Sequence, residues 1–381
     1  MALSSSAMAS HHRHHRRHHG AAPVEDAIKL DLTPVAVQPY QAPVATDPKT
    51  ASFRRRMNLE NGVWVKSTRW ISKGDVTTRD LFVLDITQSL EGGFDSVNMY
   101  DKGVLSWGLM QWTAHAGSLA QELIFTKRRL WASGRKRVWD KVFVAQGLDV
   151  DSDGLIVYGK PVHTAEEARL AFRGSLLPGN YDPKLAAHWA TAFARAGRQP
   201  QIADLQAEYA GNIVDAVLNK RLPGLRYHPA GRSGVTAADL AGDDPYAEAL
   251  IFALWTNNPS NTLSYIADAA HAARAVSVGN DPTQWVPGAF HDALLRRCRA
   301  SRFGNWRART ALIEARAQAL HTASPSELTP FERVCQVAMA RRKAARLARA
   351  PLEVASRAVP GRVDKKTSSH GLKRGQHAGS H

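Results

Sequence analysis

Helix start signals recur along this chain, and they constrain its fold more than any other feature. Thr164 and Glu167 have the spacing of a capping box, and Asp182 before Pro183 is a typical N-cap with a first-turn proline. Apolar residues recur at helical spacing in several further stretches. These patterns predict helices over roughly 117–132, 200–219, 245–256, 261–275, 288–300, 304–320 and 327–349. The sequence therefore predicts a mainly α fold.

Strand signals are few, which predicts an α+β arrangement with only a small β element. Extended segments are expected within 60–71 and 94–106, and a hairpin is expected around 148–160. The run from Asp149 to Gly154 matches the first half of a calcium-binding EF-hand loop. The twelfth position, however, is Lys160 rather than glutamate. An Asp-Gly turn between two strands is the favoured interpretation, with calcium as the alternative.

Composition sets the class of protein and its boundaries. The chain has 381 residues, of which 44% are hydrophobic and 22% charged, as is typical of a globular protein. No apolar run is long enough for a transmembrane span, and the first twenty residues lack the apolar core of a secretory signal peptide. We expect a disordered leader over 1–56, one ordered domain over 57–350 and a disordered basic tail over 351–381.

The net charge of +16 lies mostly in the two ends of the chain. It divides into +4 over 1–57, +9 over 341–381 and only +3 over the residues between them. Basic tails bind nucleic acids, anionic polymers and membrane surfaces alike. Because the central part is nearly neutral and carries no nucleic-acid motif, we expect no specific nucleic-acid partner.

The metal-ligating residue types form no pattern typical of a structural site. The two cysteines, Cys298 and Cys335, fit two buried free thiols better than the single disulfide that remains the alternative. The histidines between His11 and His19 fit a basic tail better than a metal site. The sequence therefore predicts neither a metal nor another cofactor.

The stretch around Glu91 is the one that indicates chemistry. Thr77 and Asp80 have capping-box spacing, and Gly92–Gly93 ends the helix that follows, so that Glu91 is its last residue. One face of this helix carries Phe82, Ile86 and Leu90. A carboxyl at a helix C-terminus faces the negative end of the helix dipole, which disfavours its ionised form.

Apolar neighbours would strengthen that effect by excluding water. We expect Trp107, Met110 and Trp112 to crowd Glu91. A carboxylic acid that stays protonated near neutral pH is what protonation of a glycosidic oxygen requires. Aromatic faces beside such an acid would also suit the apolar faces of sugar rings. An exposed glutamate at a helix end is the alternative interpretation of Glu91.

The order of motifs in this stretch resembles the soluble lytic transglycosylase and goose-type lysozyme superfamily. There a catalytic glutamate ends one helix and a Gly-Leu-Met-Gln motif opens the next, as Glu91 and Gly108–Gln111 would do here. The resemblance implies a lysozyme-like fold, a two-lobed helical domain with a small β element beside the cleft. It also implies that Glu91 is the acid and that Gly108, Leu109, Met110 and Gln111 shape the cleft floor. Gly92 stands where transglycosylases commonly have serine, which bears on the subfamily.

A third motif of the superfamily faces the catalytic glutamate, and Ala253–Pro259 is its best match here. By this resemblance Trp255 and Asn257 lie in the cleft. The alternative is that Trp255 packs a helix end that Asn257 caps. Since the gap from Glu91 to this motif exceeds that of the compact family core, we expect an insertion around 134–235.

The mechanism depends on whether a second carboxylate takes part. In lytic transglycosylases one glutamate acts as acid and then as base, and the C6 hydroxyl of the substrate closes an anhydro ring. In hydrolysing relatives a loop aspartate holds the attacking water. Asp95 and Asp101 lie in the corresponding loop, although Asp101-Lys102-Gly103 is equally a turn sequence. We expect Asp101 to join Glu91 in catalysis and Asp95 to contact substrate.

The resemblance implies an enzyme that cleaves peptidoglycan glycan strands as a lytic transglycosylase or muramidase. It would act in the periplasm or cell wall and reach it within a phage or contractile-injection particle or by another specialised route. The alternatives are a glycan-binding or structural particle component with the same fold and, third, a nucleic-acid-binding protein with basic tails. The expected substrate contacts are Asp95, Trp107, Gly108, Met110, Gln111, Trp112, Trp255 and Asn257.

Overall fold

The structure is a computed structural model, and it describes residues 30–44, 47, 59–72, 76, 78–222, 225, 234–242, 244–257, 259–301, 306–324, 328, 333, 336, 337 and 340. Helices dominate these residues, as the sequence predicts. In chain order they are α1 (Arg79–Glu91), α2 (Ser118–Ala132), α3 (Lys136–Val142), α4 (Ala165–Arg173), α5 (Pro183–Arg198), α6 (Pro200–Leu218), α7 (Ala237–Ala241), α8 (Pro245–Asn257), α9 (Pro259–Ala275), α10 (Ala289–Arg299) and α11 (Trp306–Thr322).

Two small antiparallel sheets accompany the helices. Their strands are β1 (Gln38–Tyr40), β2 (Gly62–Val65), β3 (Val97–Asn98), β4 (Ser106–Trp107), β5 (Trp112–Thr113), β6 (Leu148–Asp151), β7 (Gly154–Val157) and β8 (Lys160–Val162). The first sheet joins β1 to β5 in chain order, and the second joins β6, β7 and β8. In the first sheet Val97 pairs with Trp107 and Asn98 with Ser106.

The start signals explain where several helices begin. The Thr164 side chain accepts a bond from the Glu167 N–H and the Glu167 carboxylate accepts one from the Thr164 N–H, so the predicted capping box is present. Asp182 caps α5 as predicted. The N-cap of α1 is Thr78, one residue beyond the predicted Thr77, which itself lies outside the described residues.

Strand β1 lies within the predicted disordered leader, so the structure differs from the prediction there. Pro39 pairs with Val63 of β2, and the Tyr40 ring stacks on Tyr100 with 4.0 Å between centroids. The Ala42 N–H donates to the Asn61 side chain over 3.0 Å. These partners of β1 lie in the folded domain. Because they are outside residues 1–56, the composition of the leader could not predict that this strand forms.

Helix α1 lies at the centre of the core. Its apolar side chains are buried on several sides, among them Phe82, Val83, Leu84 and Ile86. It packs against α6, α8 and α11, and Arg79 at its start forms an ion pair with buried Glu248 of α8. Because α1 is held along its length, the position of its last residue, Glu91, is fixed relative to the core.

Other sequence predictions have mixed outcomes. The run from Asp149 to Gly154 forms the β6–β7 hairpin, with the Asp151 carboxylate accepting the backbone N–H groups of Asp153 and Gly154. Cys298 is a buried free thiol. Outside the described residues lie Cys335, the histidine cluster and the tail 351–381. Among the described helices, none is long and apolar enough to cross a membrane.

Candidate active site

The chain makes a tight exit from α1 immediately after Glu91. The Gly92 N–H donates to the Gln88 carbonyl over 2.8 Å, and Gly92 has a φ of +148°. A Cβ at Gly92 would overlap the Ser96 hydroxyl and would lie 3.1 Å from the Gln111 amide nitrogen. Glycine is therefore required here, and the segment after Glu91 runs directly against Ser96 and Gln111. The structure describes the backbone of Glu91 but not its side chain. The site is therefore defined by the C-terminal end of α1.

The opposite side of the same loop is also closely packed. A Cβ at Gly93 would overlap the Ser67 hydroxyl and the Arg69 carbonyl. The Phe94 N–H donates to that carbonyl over 2.9 Å. The loop at 92–93 is thus held between the segment 67–71, here called the strap, and the Ser96–Gln111 side.

Gly108–Gln111 forms the turn between β4 and β5, whereas the sequence interpretation had it opening a helix. Gly108 and Gln111 have positive φ values of +78° and +50°, and the next helix starts only at Ser118. The Gln206 side chain of α6 accepts the Leu109 N–H over 3.1 Å and donates to the Phe94 carbonyl over 3.1 Å. This contact from a distant helix stabilises the turn in place of a helical start.

Ser96 and Gln111 connect that turn to the loop after Glu91. The Gln111 amide donates to the Ser96 hydroxyl over 2.7 Å and to the Gly108 carbonyl over 3.1 Å. The Ser96 hydroxyl in turn donates to the Gly93 carbonyl over 2.9 Å. The structure therefore brings together the end of α1 and the Gly-Leu-Met-Gln segment. Ser96 was missed by sequence reasoning, because a serine in a loop carries no distinguishing signal.

We expect Gly108→Ala to destabilise the protein by about 2–4 kcal/mol. The added Cβ would overlap the Gln206 side chain and endanger both of its hydrogen bonds, in addition to the strain at positive φ. Gly117→Ala is the matched control, since Gly117 has a φ of +76° with nothing within 4 Å of the added Cβ. It should cost only about 1 kcal/mol. Urea unfolding measures both, and equal losses would refute the role of Gln206.

Asp95 is a buried structural hub and not a substrate contact. Its carboxylate accepts bonds from the Ser67 hydroxyl (2.6 Å), the Thr68 hydroxyl (2.6 Å), the Thr68 and Arg69 N–H groups (2.9 Å each) and the Arg198 guanidinium (3.0 Å). Burial opposes ionisation, but these bonds outweigh it and lower the pKa of Asp95. The prediction that Asp95 contacts substrate is therefore wrong, because its side chain is fully buried and both carboxylate oxygens accept hydrogen bonds from the protein.

Asp101 lies at the other end of the β3–β4 hairpin from the loop at 92–93. Its carboxylate accepts the Gly103 N–H over 2.7 Å and the Asn98 amide over 3.1 Å, as a turn residue does. Burial is the largest effect on it and raises its pKa. Ser96 and Gly108 flank the open end of this hairpin, whereas Asp101 is in its connecting loop. The structure thus gives Asp101 the contacts of a turn residue, and its catalytic role stays a prediction.

Trp107 and Trp112 belong to the core, which corrects their expected role as substrate contacts. Trp107 is fully buried and packs against Phe193, with 5.2 Å between ring centroids. Trp112 is 3% exposed and packs against Tyr209 at 5.8 Å. Neither ring can reach a glycan. Met110 is half-buried on the turn between them.

Trp255 and Asn257 lie at the end of α8, away from the Gly108–Gln111 turn. The Lys220 ammonium lies 4.3 Å from the Trp255 ring centroid. Lys220 follows the C-terminal end of α6, about 18 Å along that helix from Gln206, which contacts the turn. The Asn257 amide donates to the Ala253 carbonyl over 3.0 Å, a bond within its own helix. This geometry fits the helix-end interpretation of both residues.

Sequence reasoning missed a buried glutamate on α2, the helix that follows β5. Glu122 is fully buried on α2, and the Thr126 hydroxyl donates to it over 2.8 Å. Burial raises the pKa of Glu122 to about 8, although the bond from Thr126 opposes the shift. Its position on the apolar face of α2, beside Leu119 and Leu123, is the signal that could have identified it.

The stability of the protein is expected to fall as pH rises from about 4.5 towards about 8. Over this interval the folded state keeps the Glu122 proton, whereas the unfolded chain releases it near its ordinary pKa of 4.5. Glu122→Gln should remove at least about 2 kcal/mol of this loss, measured by urea unfolding near pH 5 and pH 8. Glu208→Gln, at a surface ion pair with Arg129, should leave it unchanged. Identical pH dependence in native protein and Glu122→Gln would contradict the assignment.

A cavity of about 770 Å³ borders the strap. Its polar lining includes Lys66, Ser67, Thr68, Arg69 and Arg198. Arg198 is paired with Asp95, while the Arg69 guanidinium donates to the Arg198 carbonyl. Asp31 also lines the cavity, so its wall presents hydroxyl groups, one carboxylate and more cationic than anionic side chains. Among the described residues, no group of three or more His, Cys, Asp and Glu side chains could hold a metal ion.

Comparison with known proteins gives no relative: no family model, no curated protein and no solved structure matches this chain.

Proposed function

We propose that this protein cleaves the glycan strands of bacterial peptidoglycan, with Glu91 as general acid and base. The observation that carries the proposal is the packing of Gly92 against Ser96 and Gln111, which puts the end of α1 beside the Gly108–Gln111 turn. The short strands β3, β4 and β5 follow α1 directly, in keeping with the small β element that the resemblance implies.

The helix end supplies the physical reason for an acid. The last carbonyls of a helix have no partner within it, and the negative end of the helix dipole favours the protonated form of a carboxyl placed there. Such a group can donate its proton to the glycosidic oxygen as the bond to the sugar breaks. The leaving sugar then departs as a neutral alcohol, and the glutamate is left as a carboxylate.

The form of the reaction that this geometry supports best uses one carboxylate. Asp95 is fully hydrogen-bonded, and Asp101 lies in the loop at the far end of the β3–β4 hairpin. Both carboxylates already accept hydrogen bonds from the protein, which disfavours either of them as the group that holds an attacking water. The Glu91 carboxylate would instead take the proton of the C6 hydroxyl of the muramyl sugar. The C6 oxygen then bonds to C1 and closes an anhydro ring without consuming water.

The charge of the neighbouring wall fits this substrate. Lys66 and Arg69 line the cavity beside the strap. Peptidoglycan carries carboxylates on its peptide stems, and these two cationic side chains would attract them. Action on this polymer would take place in the periplasm or cell wall. Delivery within a phage or contractile-injection particle is the route we propose.

Mass spectrometry of digested cell walls tests this function. Native protein incubated with purified peptidoglycan should release disaccharide peptides that end in anhydro sugars, one water lighter than reducing ends. If the main products had reducing ends, the reaction would be hydrolysis and the one-carboxylate mechanism would be wrong. Native protein that releases no soluble fragments would refute cleavage altogether.

A further inference from the structure

Trp70 is an exposed aromatic residue in the strap, immediately beside the proposed site. Its side chain is 43% exposed, whereas its neighbour Ile71 is buried. An indole carries a large apolar surface together with one hydrogen-bond donor. An exposed indole therefore offers a face on which the apolar face of a ligand ring can pack.

Hydrogen bonds on both sides of Trp70 fix the strap to the two ends of the Glu91 loop. The Ile71 N–H donates to the Gln88 side chain over 2.7 Å, and Gln88 lies three residues before Glu91. The Arg69 carbonyl accepts the Phe94 N–H over 2.9 Å, and Phe94 lies three residues after Glu91. Trp70 is therefore held alongside the end of α1.

The strap is also rigid, because Asp95 accepts the backbone N–H groups of Thr68 and Arg69. A binding residue on a backbone fixed in this way loses little conformational freedom when a ligand arrives. The other aromatic residues expected at the site, Trp107 and Trp112, are buried. Trp70 is thus an accessible indole at this edge of the site.

We infer that Trp70 forms a sugar-binding subsite, in which the indole face covers an N-acetylhexosamine ring of the glycan next to the scissile bond. This inference rests on the proposed function and names a residue that would position its substrate. The apolar face of the sugar ring packs on the indole, while the hydroxyl and acetamide groups stay in contact with water and the polar strap.

Trp131 provides a matched control for this subsite. It is 49% exposed, comparable to Trp70, but lies at the end of α2. The ammonium groups of Lys127 and Lys136 lie 5.0 Å and 5.8 Å from its ring centroid. Trp131 is thus a surface tryptophan with cationic neighbours and no link to the Glu91 loop.

Binding of a tetramer of N-acetylglucosamine, measured by calorimetry in the Glu91→Gln background, tests the subsite. Trp70→Ala should weaken binding about tenfold or more, since covering half an indole face is worth roughly 1.4 kcal/mol or above. Trp70→Phe should keep most of the affinity, and Trp131→Ala should keep all of it. Unchanged affinity in Trp70→Ala, or an equal loss in Trp131→Ala, would overturn the inference.

A fluorescence readout covers the case in which Trp70→Ala fails to fold. Adding the tetramer should change the tryptophan emission of the parent protein, and this change should disappear in Trp70→Phe. A change that persists in Trp70→Phe would place the sugar elsewhere. The proposed function fails separately: native protein that does not cleave peptidoglycan refutes cleavage, whereas cleavage at full rate by Trp70→Ala with unchanged affinity refutes only the subsite.

Discussion

Glu91→Gln is expected to lower the rate of peptidoglycan solubilisation by roughly 10²–10⁴-fold. The amide has the size of the carboxyl group but cannot give a proton to the glycosidic oxygen or accept one from the C6 hydroxyl. Both steps of the proposed reaction therefore lose their catalyst. The decrease in turbidity of a purified cell-wall suspension, at equal concentrations of folded protein, measures this loss.

Glu166→Gln is the matched control for that experiment. Glu166 lies exposed in the first turn of α4, outside the Glu91 loop and the strap. It undergoes the same chemical change, and clearing should continue at the native rate. Equal clearing by native protein and Glu91→Gln would mean that another residue supplies the proton.

Asp95→Ala is expected to destabilise the protein by about 3–5 kcal/mol, the range for breaking a buried ion pair. The substitution would leave Arg198 without its carboxylate and remove the partner of Ser67, Thr68 and the Arg69 N–H. Chemical unfolding of native and variant proteins near pH 7 measures the difference. Since the strap also holds the 92–93 loop, the folded variant should clear cell walls more slowly.

The control for Asp95→Ala is Asp140→Asn. Asp140 forms a surface ion pair with Lys136 one turn away, and its side chain is 39% exposed. Such pairs contribute roughly 0–1 kcal/mol, so the loss of stability in Asp140→Asn should be small.

The lowered pKa of Asp95 adds a pH test. The ionised Asp95 carboxylate stabilises the folded protein above its ordinary pKa of 3.8. This stabilisation is lost as the pH falls through the lower pKa that Asp95 has in the folded state. A loss below about 1 kcal/mol in Asp95→Ala would contradict the hub role.

Local signals explain what could be predicted from the sequence. A capping box at Thr164, an N-cap at Asp182 and an Asp-Gly turn after Asp151 depend on residues within four positions of one another. Their outcome does not depend on the rest of the fold, and the structure confirms each of them. The end of α1 at Glu91 follows from the adjacent glycines in the same way.

The details of the site depend on partners far away in sequence, and these could not be predicted. Gln206, which stabilises the turn at Gly108, lies 97 positions after Leu109. The partner of Asp95 on α5 is Arg198, 103 positions along the chain. No local pattern around either residue indicates these contacts. An expected helix start therefore became a turn, and an expected substrate contact became a buried hub.

The burial of aromatic residues could not be predicted from the sequence either. A tryptophan near a glutamate can line a cleft or fill a core, and the sequence does not distinguish the two. Phe193 and Tyr209, on α5 and α6, bury Trp107 and Trp112. Trp70 is exposed because the strap turns its neighbour Ile71 towards the core instead.

A crystal structure of Glu91→Gln with a bound peptidoglycan fragment tests the proposed site most directly. We predict that the glycan lies over the 92–93 loop, between Trp70 and the Gly108–Gln111 turn. The glycosidic oxygen should then lie roughly 2.6–3.2 Å from the side chain at position 91. A glycan bound elsewhere, or one whose glycosidic oxygens are all beyond reach of position 91, would contradict the assignment of Glu91 as the acid.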